Sequence, residues 1–204
     1  FPGEDPSLAL MPYWREGRRL MGRSTVTERD LLPMSRGALR GPLPIDAQGR
    51  CTSIAVGTYA NDHHYPGEDW PLAPKSVRWG GRWSGTPFCI PFDALISDAI
   101  PNLVMAEKGF SVSHMANGAT RLQPLILNLG QVAGLAAAMA VRQGCDLADL
   151  QVEAIQSALI HEPQAPAAVL PIWDWPLWHP HWVKAQEQGL AQPEHLDAMG
   201  RLSG

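Results

Sequence analysis

Apolar positions gather in the middle of the chain. Residues 102–162 carry a single proline, Pro124, whereas residues 1–101 carry twelve and 163–193 carry six. Proline removes a backbone donor and clashes inside helices, so the regular core is expected in the middle stretch. Short strands, turns and irregular segments are expected on either side. Asn102-Leu103-Val104-Met105-Ala106 is a short apolar run that suits a strand buried on both faces, as in a parallel sheet. A polar loop with Ser111, Ser113, His114, Asn117, Gly118 and Thr120 should follow it. From Leu125 to Val141 the chain is apolar for 17 residues, relieved by Asn128, Gly130, Gln131 and Gly134. That is short and polar for a membrane span, which needs about 20 residues, so a buried helix is predicted. Pro124 suits its first turn, where a missing N–H does no harm, and Gly144 supplies the stop after Gln143. A second helix is predicted over 147–160, with Val152, Ile155 and Leu159 on one face.

Upstream, Thr27-x-x-Asp30 before Leu31-Leu32 has the form of a capping box with Asp in place of Glu. Residues 53–59 and 88–92 read as strands. Residues 61–85 read as one long irregular excursion, and loops of that length are usually functional.

Composition narrows the function. At 204 residues the chain makes one large domain or two small ones, enough for a sizeable core. The net charge of −4 leaves no basic excess to neutralise phosphates, which argues against nucleic acid as a partner. Cys51, Cys89 and Cys145 have no metal-binding spacing and form at most one disulfide. They fit a reducing compartment, so the cytoplasm is favoured, though the sequence names no location. No GxSxG elbow, Walker loop, HExxH or EF-hand pattern occurs, and no metal site is expected.

Candidate chemistry lies around the long helix. Gly130, Gly134 and Ala137 or Ala138 recur at helical spacing, and small residues in a stripe let a backbone or a flat ligand come close. Tight packing against a sheet is the plain alternative. A helix start presents unpaired N–H groups and positive partial charge, which suit a phosphate or an electron-rich ring carbonyl. Of the 42 residues from 102 to 143 only Glu107, Lys108, Arg121 and Arg142 are charged. Charges in so apolar a stretch need partners, which makes the first three site candidates.

With these pieces in place the chain resembles a known family. The segments are 102–108, Ser111-Val112-Ser113-His114, Asn117-Gly118-x-x-Arg121-Leu122-Gln123-Pro124 and Leu129-Gly130-Gln131-x-Ala133-Gly134-x-Ala136-Ala137-Ala138. Upstream come Arg15-Glu16-x-Arg18-Arg19-Leu20-Met21-Gly22 with Thr27 and Asp30, Ile54-Ala55-Val56-Gly57-x-Tyr59-x-x-Asp62-x-His64, and Ile90-Pro91-Phe92-x-x-Leu95-Ile96. In this order they resemble the C-terminal part of the FAD-dependent oxidoreductases, flavoproteins with a glutathione-reductase-like fold of two dinucleotide-binding domains. Where much of that family has Ala-Gly-Arg, this chain has Ala106-Glu107-Lys108. The strand–GxGxxG–helix fingerprint that holds the FAD pyrophosphate does not occur in the chain.

The resemblance implies an α/β fold: the C-terminal part of an FAD-binding Rossmann-like domain joined to a Pro-rich, β-containing piece of a substrate domain. The expected division is a partial substrate domain over 1–100, the strand–loop–helix part of the FAD domain over 101–162, and a Trp/Pro-rich docking tail over 163–204. It further implies that FAD is the cofactor, that the substrate is a small organic molecule, and that a GxGxxG-bearing segment or chain completes the site. Residues from Asn117 and Gly118 through Arg121, Gln123, Pro124 and Leu125 would lie along the flavin ring and ribityl side. Glu107 and Lys108 would sit near the ribityl or diphosphate, and Arg121 could pair with a phosphate, with substrate or with Glu107. Gly130 and Gly134 would allow close approach along the helix.

Four further groups stand beside this. A histidine next to a flavin can take the proton that accompanies hydride removal, and His64 with Asp62 fits that role; a surface pair with His63 is the alternative. One arginine of Arg15, Arg18 and Arg19, with Arg19 the candidate, could clamp a substrate carboxylate, or the group could form an edge ion pair with Glu16. Trp70, Trp79 and Trp83 could wall a pocket or pack a loop. The tail holds Trp173, Trp175, Trp178 and Trp182, too much aromatic surface to leave in water. A non-catalytic remnant or accessory subunit that docks through this tail is therefore the competing reading. A sugar-binding module would leave the Gly/Ala stripe unexplained.

Overall fold

The computed structural model describes residues 17–32, 41–59 and 87–171. The expected excursion over 61–85, with Asp62, His63, His64 and its three tryptophans, lies outside these residues. So do Arg15, Glu16 and the Trp-rich tail beyond 171.

The described residues form mixed helices around a small antiparallel sheet. Strands β1 (Ser53–Gly57) and β2 (Phe88–Pro91) pair antiparallel, with an irregularity between Ser53 and Ala55. Four of the five β1 residues are buried, as are the first three of β2. Gly57 faces Phe88 across the ladder, and a Cβ at Gly57 would run into the Phe88 ring. Glycine at the strand end thus lets a fully buried phenylalanine lie over the backbone.

Helix α1 (Glu28–Leu31) starts as its sequence predicts: the Thr27 amide and hydroxyl both donate to Asp30 Oδ2, at 2.7 and 3.0 Å. Helix α2 spans His114–Thr120 and α3 spans Gln123–Gln143. Pro124 sits in the first turn of α3, and Gly144 ends it in the left-handed region at φ 64°, its amide turned back to Ala140 and Val141. The α3 face carrying Leu125, Leu129, Val132, Ala133, Ala136, Met139 and Ala140 is buried and packs on β1. By length and composition α3 could cross a membrane, but this inner face is built into the core. Helix α4 (Val152–Ile160) packs on both α3 and β1.

Three expectations need correction. Residues 102–106 form no buried strand. Asn102 turns into the left-handed region at φ 58°, Leu103 is exposed, and only Val104 bridges, antiparallel, to Ile96. The single parallel pairing among the described residues is the bridge between Val26 and Val112. The polar loop over 111–120 is largely α2, because Ser113 caps it: its hydroxyl accepts from the Ala116 amide at 3.1 Å. The helix predicted over 147–160 is divided into a 3₁₀ turn, Leu147–Asp149, and α4. The extended backbone at Leu150 and Gln151 breaks it, and that break lets both Leu147 and Leu150 reach the core. Cys51, Cys89 and Cys145 are thiols and not disulfides, which agrees with separate thiols.

One polar side chain closes the sheet. Gln156 on α4 is 5% exposed and its Nε2 donates to the carbonyls of Cys51 at 2.9 Å and Ser53 at 2.7 Å. The buried Ser53 hydroxyl donates to the Val169 carbonyl. Residues 165–171 follow as an extended strap. The Ala167 amide bonds the Leu159 carbonyl, Gln131 Nε2 bonds the Ala165 carbonyl, and Val169 and Leu170 are buried.

Replacing Gln156→Leu should therefore destabilise the fold by about 2–4 kcal/mol, because two carbonyls lose their donor. Urea denaturation checks this, and an unchanged midpoint would mean the carbonyls find other donors. A second expectation concerns acid. Asp46 Oδ1 accepts from the Arg50 amide at 2.8 Å and the Gln48 amide at 2.9 Å, and Oδ2 accepts from Arg50 Nε at 2.8 Å. The Arg50 amide first, then its guanidinium, holds this carboxyl below its ordinary range. Its stabilisation is complete above the unfolded value near ~4 and fades as pH falls through the lower folded value. Thermal melts of Asp46→Asn should thus fall less steeply than the parent between neutral and acid pH.

Candidate functional site

The corner between α2 and α3 concentrates unsatisfied polar groups. Ser113 fixes one end by capping α2 and by donating to Glu28 Oε2 at 3.3 Å. Arg121 closes the other end, its amide bonded to the Asn117 carbonyl at 3.3 Å. Leu122 then opens α3, whose first turn is Gln123, Pro124 and Leu125. Pro124 has no N–H to offer, so of this first turn only the Gln123 and Leu125 amides remain beyond the reach of the intrahelical ladder.

Beside that turn two side chains stand buried with no partner. Asn117 is 2% exposed and Thr120 is 0% exposed, yet Asn117 Nδ2 and Thr120 Oγ1 make no hydrogen bond. They are three residues apart on α2 and so share a face. Buried donors of this kind cost about 1–3 kcal/mol each when left unpaired. Asn128, one turn into α3, has a buried and unpartnered Nδ2 as well.

The small-residue stripe of α3 faces away from the sheet, which settles against tight helix–sheet packing at Gly134. A Cβ at Gly134 would meet nothing within 4 Å, and at Gly130 the nearest atom would be the Ala106 carbonyl oxygen at 3.5 Å. On the same side Leu127 is 75% and Val141 is 83% exposed, and Ala138 is exposed. An apolar, nearly charge-free helix face is thus left uncovered by the described residues. Next to it a groove of about 770 Å³ runs between α3 and residues 162–168, lined by Leu127, Asn128, Gln131, Leu135 and Pro166 among others.

Glu107 and Lys108 are not buried charges. They form a surface ion pair with each other at 3.8 Å, their side chains 61% and 41% exposed. Exposed pairs of this kind contribute little, typically 0–1 kcal/mol. The turn that carries them is pinned where the Leu20 amide bonds the Gly109 carbonyl at 2.8 Å. That bond places half-buried Arg19 one residue from the turn, so the first arginine segment and the Glu107–Gly109 turn meet although 87 residues separate them. Arg121 is half-buried at the end of α2. No group of three or more His, Cys, Asp or Glu suited to a metal occurs among the described residues.

Residues 4–159 match the family model described as FAD dependent oxidoreductase. The chain belongs to that family. The cofactor of the FAD-dependent oxidoreductases is FAD, and the match runs through the whole α2–α3 corner. No curated protein and no solved structure matches the chain. The matched segment of this flavoprotein ends at residue 159, inside α4, so the 165–171 strap follows it.

Thr120 is the residue that sequence reasoning passed over. It lies between Asn117 and Arg121, and only its complete burial without a hydrogen bond singles it out. Because Gly134 has open space around it, Gly134→Leu should leave the fold intact. Removing a mid-helix glycine should hold or raise stability by up to about 1 kcal/mol. Thermal unfolding of the 204-residue chain measures this, and a marked drop would mean the outer face of α3 is already covered.

Proposed function

We propose that this chain supplies part of the flavin site of an oxidoreductase that passes a hydride between a small organic substrate and flavin N5. The observation that carries the reading is the α2–α3 corner, where the start of a long helix follows directly on α2 and leads into an outward side with open space at Gly134. These residues fit FAD, a large ligand rich in acceptor oxygens. In this reading Asn117, Gly118, Arg121, Gln123, Pro124 and Leu125 line the ring and ribityl side. Helix starts favour negative charge by about 0.3–1 kcal/mol, so the start of α3 holds an electron-rich carbonyl or phosphate. Glu107 and Lys108 border the ribityl or diphosphate end.

The uncovered face of α3 has a role in the same scheme. Gly134 receives the backbone of a GxGxxG-bearing segment, carried in the same polypeptide or on a partner, which grips the pyrophosphate, while Gly130 makes room for the Ala106 carbonyl. With it the described elements become the C-terminal part of a Rossmann-like FAD domain. Bound FAD supplies a two-electron carrier, and the protein's own groups do the rest. Arg19, beside the Glu107–Gly109 turn, orients a substrate carboxylate. His64, oriented by Asp62, takes the substrate proton. Burial of the corner excludes water and strengthens each of these interactions.

The visible absorbance spectrum of the natural protein that carries this chain, purified beside the 204-residue chain, tests the reading. A flavin spectrum in the former, weak or missing in the latter, is the expected result. No flavin in either after added FAD would sink the proposal. His64→Ala should slow flavin reduction far more than it weakens FAD binding, as read by anaerobic bleaching; equal losses would make His64 structural. Gly134→Leu should abolish flavin retention while the fold survives.

A further inference from the structure

The groove of about 770 Å³ between α3 and residues 162–168 has no part in the flavin reading. Asn128, Gln131 and Leu135 form its α3 wall at helical spacing, beside the Leu127–Gly134–Val141 line but turned toward the strap. Pro166 and the strap alanines form the other wall. The Gln131 carboxamide ties the walls together by donating to the Ala165 carbonyl at 2.7 Å. The lining is apolar apart from its amide side chains, and its single charged residue is Glu162. Aliphatic walls with a few carboxamide and carboxylate acceptors among them suit an indole, an apolar body with one N–H donor.

The chain carries such groups within reach. None of the described residues is a tryptophan, whereas the residues after 171 hold Trp173, Trp175, Trp178 and Trp182. Val169 and Leu170 are buried in the core, so the chain beyond Pro171 leaves from a fixed point. The groove lies beside residues 162–168, centred on Ala165, six positions before Pro171. An extended chain spans at most about 3.3–3.6 Å per residue, which puts the groove within about 20 Å of Pro171. Trp173 and Trp175 stand two and four residues beyond Pro171; Trp178 stands seven beyond and is the first whose tether covers that distance however extended the strap. Charge agrees as well. The first lysine or arginine after the strap is Lys184, six residues past Trp178, and the groove offers the Glu162 carboxylate.

We infer that the groove between α3 and the strap is the docking slot of this chain's own Trp178, the indole lying against Leu135 and Pro166 with its N–H donated to a groove acceptor. A short tether gives an effective concentration on the order of millimolar, so a contact too weak to join two separate molecules holds within one chain. Docking clamps the strap onto α3 and leaves the Gly134 side clear. It does not depend on the flavin reading.

The test uses the natural protein that carries this chain, with a photoreactive benzophenone amino acid at Gln164, an exposed residue of the groove wall. Irradiation, digestion and mass spectrometry should find cross-links within one chain to residues 176–184. Trp178→Ala should cut their yield about tenfold, the loss of one docked aromatic side chain, and Trp178→Phe should restore most of it. Ala168→Glu, a charge placed on an exposed position of the same wall, should cut the yield similarly. Should Ala168→Glu not fold, Trp178→Ala alone decides. A yield that Trp178→Ala leaves unchanged would mean chance encounters of a tethered tail and would overturn the inference. Links confined to α3 and the strap would mean an empty groove. Links between two chains would make it an interface between copies, and links to any other segment would give it another occupant. Each of these three results overturns the inference too.

Discussion

The contact between the inner face of α3 and β1 sets the position of everything else. Leu125, Leu129 and Val132 each contribute about 1.5–3 kcal/mol by leaving water, and β1 is the surface they bury against. A two-stranded sheet alone is marginal in water. Here α3 and α4 cover it, and Gln156 satisfies carbonyls beside the irregular end of β1, where no further strand pairs among the described residues. Once the inner face of α3 is committed in this way, its start must stand beside α2. The Leu127, Gly134 and Val141 side must then look outward. The candidate site is thus a by-product of where the core is.

That division of one helix into two faces carries the functional argument. An isolated globular domain places polar residues on the side it shows to water. Outside its first turn, α3 shows leucine, glycine, alanine and valine instead, and its first charge after Arg121 is Arg142. Burial of Asn117 and Thr120 without partners is the second irregularity, and it falls on α2, the helix that leads into the start of α3. Proteins seldom leave two such departures side by side unless something else completes them.

How much of this was legible in the sequence depends on the range of the forces involved. Local signals served well. The ends of α3 could be read from Pro124 and Gly144, the start of α1 from Thr27 and Asp30, and both strands from short apolar runs. The 102–106 run misled because apolar content does not register a backbone turn at Asn102, whose carboxamide is held by Asp146 and by the Leu147 amide, more than forty residues away. The α2 helix was hidden by Gly118 and by a row of polar residues that a serine cap overrides. The charges at 107 and 108 misled in a different way: few charges in a stretch do not make those few buried, and these two face water. For the candidate site, the family pattern pointed to the segment that forms the α2–α3 corner, but which of its polar groups are stranded is a property of packing. Thr120 could not be seen before the fold was.

The strap at 165–171 bears on where this unit ends. The family match stops at residue 159, yet the Val169 carbonyl takes the hydroxyl of a buried β1 serine, and Val169 and Leu170 lie in the same core as α3. Homology and cooperativity therefore draw the boundary in different places. A protein cut at the homology edge would carry every residue of the family match and still have an open seam along its sheet, with Ser53 and Leu159 missing their backbone partners. For any gene rearrangement that grafts this module elsewhere, the portable piece is the longer one.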